Sequence, residues 1–333
     1  PAVPRRPPPA PLPPSPRSAA PIPGVQMARL LQLTLLLAGA GCLAQFTEFN
    51  ASFAGEDFLH GYIPSGTGHP LYIWVTGTGM NYETPADHDM LLAMAGRGFV
   101  AVQVSYPNHF YKIECESVDD KASDLFQGDQ SALSKLCAMD AVDCSKGVAV
   151  HGFSQGAHLA SVARNYDKRV SAALLFGNGN FAYGSSERRL GLMSIAQSSN
   201  CLRYNGPPKH DLAREQVRSV VGAADKYMGQ NLLGVIGHQK VTTGYDCGLN
   251  YDCIQPDGSG YFVVTMPISA TRHAFCYVEG GVVELSSDFA AGDLPWSMTP
   301  CMDWLASAAR RFAIAPPQGS SGGGQAPEAA AGG

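Results

Sequence analysis

The chain has 333 residues, of which 45% are hydrophobic and 15% charged, and its formal net charge at pH 7 is −5. This length and apolar content are sufficient for one large globular domain or two modest ones. Removing residues 1–44, which hold four arginines and no acidic residue, would change the balance from 23 basic and 28 acidic residues to 19 and 28, or −9. Such an acidic balance argues against a nucleic-acid partner, which would require a basic surface.

The two ends of the chain differ in composition from its centre. Residues 1–26 contain 11 of the 24 prolines, and residues 315–333 are a low-complexity tail, so we expect both to be disordered. Residues 27–44 combine one arginine, a short apolar run and a small-residue end, which predicts a secretory signal peptide starting at Met27. An internal membrane anchor is the alternative. The sequence therefore predicts one folded domain over residues 45–314, with no membrane span once the signal is removed.

Apolar runs alternate with segments of helical character along this domain. Strands are predicted at 57–63, 70–76, 98–104, 147–151, 171–176, 217–223 and 260–266. Helices are predicted at 86–96, 119–139, 155–165, 209–215 and 299–313. Near-continuous apolar strands separated by helices are typical of an α/β fold with a mostly parallel sheet. In such a sheet, functional groups gather in the loops at the carboxyl ends of the strands.

Cysteine usage also favours an exported protein. Eight cysteines follow the predicted signal: Cys115, Cys137, Cys144, Cys201, Cys247, Cys253, Cys276 and Cys301. An even set in an exported chain predicts four disulfides, and we prefer Cys247 with Cys253 and Cys276 with Cys301. A zinc site that uses Cys247 and Cys253 is the alternative. Asn50 begins an Asn-Ala-Ser glycosylation sequon.

The segment Gly152-Phe153-Ser154-Gln155-Gly156 holds the candidate nucleophile, Ser154. A serine in a Gly-x-Ser-x-Gly turn between a strand and a helix projects its hydroxyl above the sheet. The same pattern also occurs at residues 319–323, in the predicted disordered tail, where it has no such flanks. Because the apolar strand and the helical stretch on either side of Ser154 supply the required context, we expect a nucleophile there. A structural turn serine is the alternative.

A serine nucleophile needs a base, and the base needs an acid that orients it. His273 follows the last predicted strand and is the expected base, with His238 as the alternative. His158 lies one turn along the nucleophile helix, where a packing role is expected.

The acid is expected at the end of the strand before the last one. Asp225 follows the apolar run 217–223 and is the expected acid. Asp252 and Asp257 are the alternatives, and Asp225 could instead cap the turn that follows it.

The same chemistry requires donors for a developing oxyanion. The backbone N–H of the residue after the nucleophile, Gln155, is one expected donor. The other is expected from Thr78 or Gly79, in the glycine-rich loop after the strand 70–76. A turn that merely permits positive φ is the alternative reading of this loop. A phosphate-binding loop is disfavoured because no lysine follows.

With Ser154, Asp225 and His273 in this order, the chain resembles the α/β-hydrolase superfamily over residues 57–314. Its GFSQGA segment is similar to the nucleophile elbow of cutinases and of the phospholipase/carboxylesterase and acyl-protein thioesterase group, in which glutamine also follows the serine. The resemblance implies a serine esterase or lipase that acts through an acyl-enzyme. The acid and histidine lie closer together in cutinases than Asp225 and His273 do here, and the thioesterases are largely cytosolic and poor in disulfides. A secreted carboxylic-ester hydrolase of unassigned subfamily is therefore the expectation.

Three functional hypotheses follow. The first is a hydrolase of esters of a small molecule, lipid or polymer, which needs no metal or organic cofactor. The second is an acyltransferase that uses the same three residues, and the third is a non-catalytic secreted binding protein of the same fold. Residues 177–210 form either a small lid over the site or ordinary surface packing.

Overall fold

A computed structural model describes residues 46–52, 58–108, 115–178, 210–225, 232–267, 271–278 and 283–314. The predicted extension 1–26, signal peptide 27–44 and tail 315–333 lie outside these residues, as does most of the predicted lid. The described strands are β1 Phe46–Ser52, β2 Phe58–Pro64, β3 Leu71–Val75, β4 Val100–Val104, β5 Val148–Phe153, β6 Val170–Phe176, β7 Val217–Gly222, β8 Asp252–Ile254 and β9 Gly260–Val264. The described helices are α1 Pro85–Ala95, α2 Cys115–Phe126, α3 Ala132–Cys137, α4 Gln155–Tyr166, α5 Leu232–Thr243, α6 Ser287–Ala290 and α7 Met298–Arg311.

All these strands belong to one sheet, in the order β1-β2-β4-β3-β5-β6-β7-β9-β8. The run from β4 to β9 is parallel, whereas β1, β2 and β8 pair antiparallel with their neighbours at the two edges. The exchange of β3 and β4 in the order, beside an antiparallel β2, gives the topology of the α/β-hydrolase fold. The expected mostly parallel sheet flanked by helices is therefore confirmed.

The central strands are buried on both faces because helices cover both sides of the sheet. In β3, Leu71, Ile73 and Val75 face one apolar cluster, which includes residues of α2, α3 and α4. Tyr72 and Trp74 face a second cluster, which includes residues of α1, α6 and α7. Alternate side chains thus enter opposite cores, which explains the continuous apolar runs in the sequence. The carboxyl ends of the parallel strands all open at the same edge of the sheet.

Each of the predicted strands exists, with boundaries shifted by a few residues, whereas two of the predicted helices differ. The helix expected at 119–139 is divided into α2 and α3, since Gly128 between them adopts a φ of +76°. The helix expected at 209–215 is wrong, because only a 3₁₀ turn forms, at Arg214–Gln216. There the Gln216 side chain accepts a hydrogen bond from the Ala213 N–H and donates one to the Ser171 carbonyl oxygen. These bonds fix the turn, and β7 begins at the next residue.

Two disulfides join described cysteines. Cys247–Cys253 closes the loop before β9 as expected, and Cys137–Cys144 ties the end of α3 to the turn before β5. The expected Cys276–Cys301 disulfide is wrong.

Cys276 and Cys301 are both buried free thiols. The Cys301 Sγ atom lies 3.4 Å from the Pro295 carbonyl oxygen, in the segment that precedes the N-terminus of α7. The separation of two cysteines in sequence does not determine whether their side chains come close enough, and in the right direction, to form a disulfide. The Cys115 side chain and Cys201 lie outside the described part of the chain.

Within the described ranges, none of the helices combines the length and apolar character that crossing a bilayer would require.

Candidate active site

The expected nucleophile, Ser154, occupies a sharp turn between β5 and α4. Its φ of 54° and ψ of −115° lie outside the regions that non-glycine residues usually adopt, which is the strained backbone expected of a nucleophile elbow. The flanking glycines permit this turn. A Cβ at Gly152 would overlap the backbone of Gly156, and a Cβ at Gly156 would overlap the carbonyl oxygen of Val75 at the end of β3. The Gly-x-Ser-x-Gly pattern therefore follows from close packing of α4 against β3 and β5.

Ser154, His273 and Asp225 form a continuous chain of contacts. The Nε2 atom of His273 lies 2.9 Å from the Oγ atom of Ser154, and its Nδ1 atom lies 2.6 Å from the Oδ2 atom of Asp225. The Asp225 side chain is fully buried, whereas the His273 side chain is 18% exposed. A carboxylate at Nδ1 fixes the tautomer that leaves Nε2 free to accept the serine proton. The three side chains that sequence spacing singles out are thus in direct contact.

Backbone contacts between two loops hold the acid and the histidine together. Asp225 lies in the turn after β7, where the Ala224 N–H donates to the carbonyl oxygen of Thr271 at 2.6 Å. A side chain at Gly222 would overlap the carbonyl oxygens of Thr271 and Arg272, so glycine is required where the two loops meet. The loop after β9 is thereby fixed against the end of β7, two residues before His273.

Phe153 supports the histidine ring from the nucleophile side. Its ring centroid lies 5.1 Å from that of His273 and 5.1 Å from that of Tyr277. Gly177 at the end of β6, with a φ of +58°, lies beside both the Phe153 and the His273 rings. An aromatic contact and a side-chain-free backbone therefore restrict the orientation of the imidazole.

The alternative base, His238, and the predicted packing residue, His158, are both buried on helices. His238 is buried on α5, where its Nε2 atom lies 2.9 Å from the Thr242 Oγ1 atom of the same helix. His158 is buried on α4, and burial together with the charge of nearby His273 lowers its pKa to about 3. His158 is therefore neutral at physiological pH.

The alternative acids also lie apart from the histidine. Asp252 accepts a hydrogen bond from the Ile254 N–H, and Asp257 accepts from Ser259 and pairs with Arg311. Asp252 begins β8 and Asp257 lies in the turn between β8 and β9.

The two expected sources of the second oxyanion donor differ in their hydrogen bonding. The Gly79 N–H donates to the carbonyl oxygen of Asn108 at 3.0 Å, so this donor is already engaged. Among the described residues, neither the Thr78 N–H nor the Gln155 N–H has a hydrogen-bond acceptor. Gln155 is the first residue of α4, whose N-terminus carries a positive partial charge. These two amides are the available donors next to Ser154.

The loop after β3 is held by two residues that were not predicted from the sequence. Asn108 is buried, and its Nδ2 atom donates to the carbonyl oxygens of Gly77 and Met80. The Tyr106 hydroxyl donates to the Thr76 carbonyl at 2.7 Å. Both residues follow β4, the neighbour of β3 in the sheet. The rule that functional groups follow strand ends would have indicated this segment, but only the strand order shows that it lies beside Thr78.

A metal site would require several ligating side chains close together. The described ranges contain no group of three or more His, Cys, Asp or Glu side chains that could hold a metal ion. The alternative zinc site at Cys247 and Cys253 is wrong, because these two cysteines form a disulfide.

No protein-family model matches the chain, and no curated protein sequence matches it. Among solved structures, a fungal esterase from Rhizomucor miehei is 13% identical, with a TM-score of 0.48 over 88% of this chain and 94% of its own. An esterase from Pyrobaculum calidifontis is 16% identical, with a TM-score of 0.43 over 87% and 92%. A cold-adapted esterase from an Arctic intertidal metagenomic library is 15% identical, with a TM-score of 0.46 over 80% and 94%. The order and direction of the chain's own strands define its fold as that of the α/β-hydrolases.

Proposed function

We propose that this chain is a serine hydrolase that cleaves carboxylic esters through an acyl-enzyme on Ser154. The observation that carries the proposal is the unbroken contact from the Ser154 Oγ atom through the His273 imidazole to the buried Asp225 carboxylate. These groups stand at the carboxyl ends of β5, β7 and β9, the edge at which parallel sheets present their functional groups.

The acylation step follows from the positions of these groups. The Ser154 oxygen attacks the ester carbonyl carbon while His273 Nε2 takes the hydroxyl proton. The carbonyl oxygen becomes an oxyanion, which accepts hydrogen bonds from the Thr78 and Gln155 N–H groups. His273 then returns the proton to the departing alkoxide, and the alcohol leaves with the ester bond broken. Asp225 stabilises the imidazolium throughout, without itself being protonated.

Deacylation repeats these steps with water as the nucleophile. His273 takes a proton from water, the hydroxide oxygen adds to the acyl carbon, and the second oxyanion is held by the same two N–H groups. Collapse returns the proton to the Ser154 oxygen and releases the carboxylic acid. The site regains its starting protonation state, so the cycle needs no cofactor.

A panel of p-nitrophenyl esters of increasing acyl length tests this function, with Ser154→Ala as the matched control. We expect the wild type to release nitrophenol and Ser154→Ala to lose the activity. Equal rates for the two proteins would remove Ser154 as the nucleophile, and no release by either would favour the binding-protein hypothesis. Adding an alcohol acceptor distinguishes the transferase, because a transferase would form mostly the new ester rather than the free acid.

We also propose that the protein is exported and glycosylated at Asn50. Two disulfides support an oxidising compartment. Asn50 is exposed on β1, the outermost strand of the sheet, where a glycan has room. Secretion from a eukaryotic host followed by glycan removal is the test. We expect the wild type to shift in electrophoretic mobility on deglycosylation and Asn50→Gln not to shift; a wild type without a shift contradicts glycosylation.

A further inference from the structure

The side chain of Gln155 connects Thr78, in the loop after β3, to a buried lysine, Lys121. Its Nε2 atom donates to the Oγ1 atom of Thr78 at 3.1 Å. Its Oε1 atom accepts from the Nζ atom of Lys121 at 3.3 Å. Gln155 is only 2% exposed and Lys121 only 6% exposed, so their contact is shielded from water, whereas Thr78 is half-buried.

Lys121 fixes the direction of this chain. An ammonium group has only donors, so the atom of Gln155 that faces it must be the amide oxygen. The amide NH₂ therefore faces Thr78, and the Thr78 oxygen must accept. The hydroxyl hydrogen of Thr78 is left to donate elsewhere, and among the described residues it has no acceptor. A hydrogen bond from it to the substrate oxyanion would complete the chain.

The placement of Lys121 is unusual for a lysine with a purely structural role. Within the part of the chain that the structure describes, no carboxylate pairs with its ammonium group. Its contacts are the Gln155 oxygen and the Tyr106 ring, whose centroid lies 5.9 Å from Nζ. Burial lowers the pKa of Lys121. A buried cation held by a neutral amide costs stability.

We propose that Lys121 is a positioning residue that orients the Gln155 amide and, through it, directs the Thr78 hydroxyl towards the oxyanion. Lys121 does not touch the substrate. Its ammonium group donates to the Gln155 side chain, which in turn donates to the Thr78 oxygen. These hydrogen bonds exist before the substrate binds, so a developing negative charge is stabilised without reorganisation of the site. This inference rests on the proposed function, because it assigns a role within the same reaction.

Lys121→Met tests the inference by removing the donor while keeping most of the length of the side chain. With the p-nitrophenyl ester that the wild type cleaves best, we expect kcat to fall about 10- to 100-fold and KM to change less than about twofold. The loss should be smaller than the roughly 10²- to 10³-fold effect of removing an oxyanion donor itself. The melting temperature should stay the same or rise, since a buried charge is lost. Lys121→Arg keeps a donor-only cation and should restore most of kcat.

A double-mutant cycle with Thr78→Val separates this role from a structural one. Thr78→Val keeps the backbone N–H but lacks the hydroxyl, so adding Lys121→Met to it should lower kcat less than about threefold further. Full additivity of the two losses would overturn the inference. Gln155→Glu provides a further test that does not depend on the folding of Lys121→Met. A carboxylate accepts from both neighbours and turns the Thr78 hydroxyl away, so kcat should fall; full activity would overturn the inference.

The rate at which a fluorophosphonate labels Ser154 separates failure of this inference from failure of the proposed function. If the wild type is neither labelled nor active on esters, the proposed function fails and the inference fails with it. If the wild type is labelled and Lys121→Met is labelled at the same rate, the role of Lys121 alone is wrong. Slower labelling of Lys121→Met, restored by Lys121→Arg, is the expected result.

Discussion

The carboxylate of Asp225 lies 2.6 Å from the imidazole of His273, although 48 residues separate them in sequence. The two residues are close in space because β7 pairs with β9, so that the turn after β7 and the loop after β9 meet at the same edge of the sheet. The segment between them, which includes α5 and β8, is accommodated outside this contact. The Asp225 carboxylate and the His273 imidazole are therefore in contact although α5 and β8 lie between them in sequence.

Replacing the acid should reduce activity without removing the nucleophile. Asp225→Asn keeps the shape of the side chain but favours the wrong imidazole tautomer, so we expect kcat to fall about 10³- to 10⁴-fold. His238→Ala is the matched control, since His238 contacts Thr242 rather than Ser154 and should leave most activity. Steady-state kinetics on one ester measure both variants. If His238→Ala lost as much activity as Asp225→Asn, the assignment of the base would be wrong.

The elbow glycines should tolerate no side chain. In Gly156→Ala, the new Cβ would overlap the Val75 carbonyl oxygen, and we expect a loss of about 3 kcal/mol or more in the free energy of unfolding. Gly237→Ala on α5 is the control, because a Cβ there meets nothing within 4 Å. Alanine should stabilise that helix by about 0.5–1 kcal/mol. Denaturant titration checks both, and equal effects of the two substitutions would contradict the packing described for the elbow.

The described cysteines should differ in their reaction with an alkylating reagent. Without reductant, we expect Cys276 and Cys301 to resist alkylation in the folded protein, because both thiols are buried, and to react once guanidinium unfolds it. The cysteines of the two disulfides should react only after reduction. Peptide mass spectrometry distinguishes these states. Recovery of Cys276 and Cys301 as a disulfide-linked peptide pair would show that the thiol assignment is wrong.

Mild acid should destabilise the fold through His158. Its pKa falls from 6.5 to about 3 on folding, so between these values the unfolded chain binds more protons and stability decreases as the pH falls. Between pH 7 and pH 5 this single group should remove about 2 kcal/mol. Burial also lowers the pKa values of His151 and His238, which act in the same direction in every variant.

His158→Gln isolates the contribution of His158 from that of the other histidines. Urea unfolding of the wild type and of His158→Gln at pH 7 and pH 5 is the measurement. The wild type should lose about 2 kcal/mol more than the variant between the two pH values. The same loss in both proteins would contradict a neutral, buried His158.

The sequence predicted most of the sheet because its central strands are buried on both faces and therefore apolar throughout. It missed β1, an edge strand whose residues are mostly exposed and lack an apolar run, and the three-residue β8 at the opposite edge. It also missed α5, and it placed a helix at 209–215 where side-chain bonds of Gln216 start β7 instead. Local composition does not encode these outcomes, which depend on contacts with distant parts of the chain.

The residues of the candidate site likewise divide into those marked by local sequence and those that depend on contacts with distant parts of the chain. Ser154 could be found because its turn requires glycines at fixed local spacing, and Asp225 and His273 because they follow strand ends in a given order. Lys121 and Asn108 could not, since their contacts with Gln155 and the loop after β3 arise only when α2 and β4 pack beside the elbow. The sequence also could not choose between Thr78 and Gly79, whose N–H groups differ only in their hydrogen bonding in three dimensions.

Covalent labelling with a fluorophosphonate probe tests the central claim most directly, because it needs no knowledge of the natural substrate. We expect the probe to modify Ser154 in the wild type, to leave Ser154→Ala unmodified, and to react far more slowly with His273→Ala. Mass spectrometry of the labelled peptide identifies the site. Labelling at another residue, or equal labelling of the wild type and His273→Ala, would contradict a Ser154 nucleophile activated by His273.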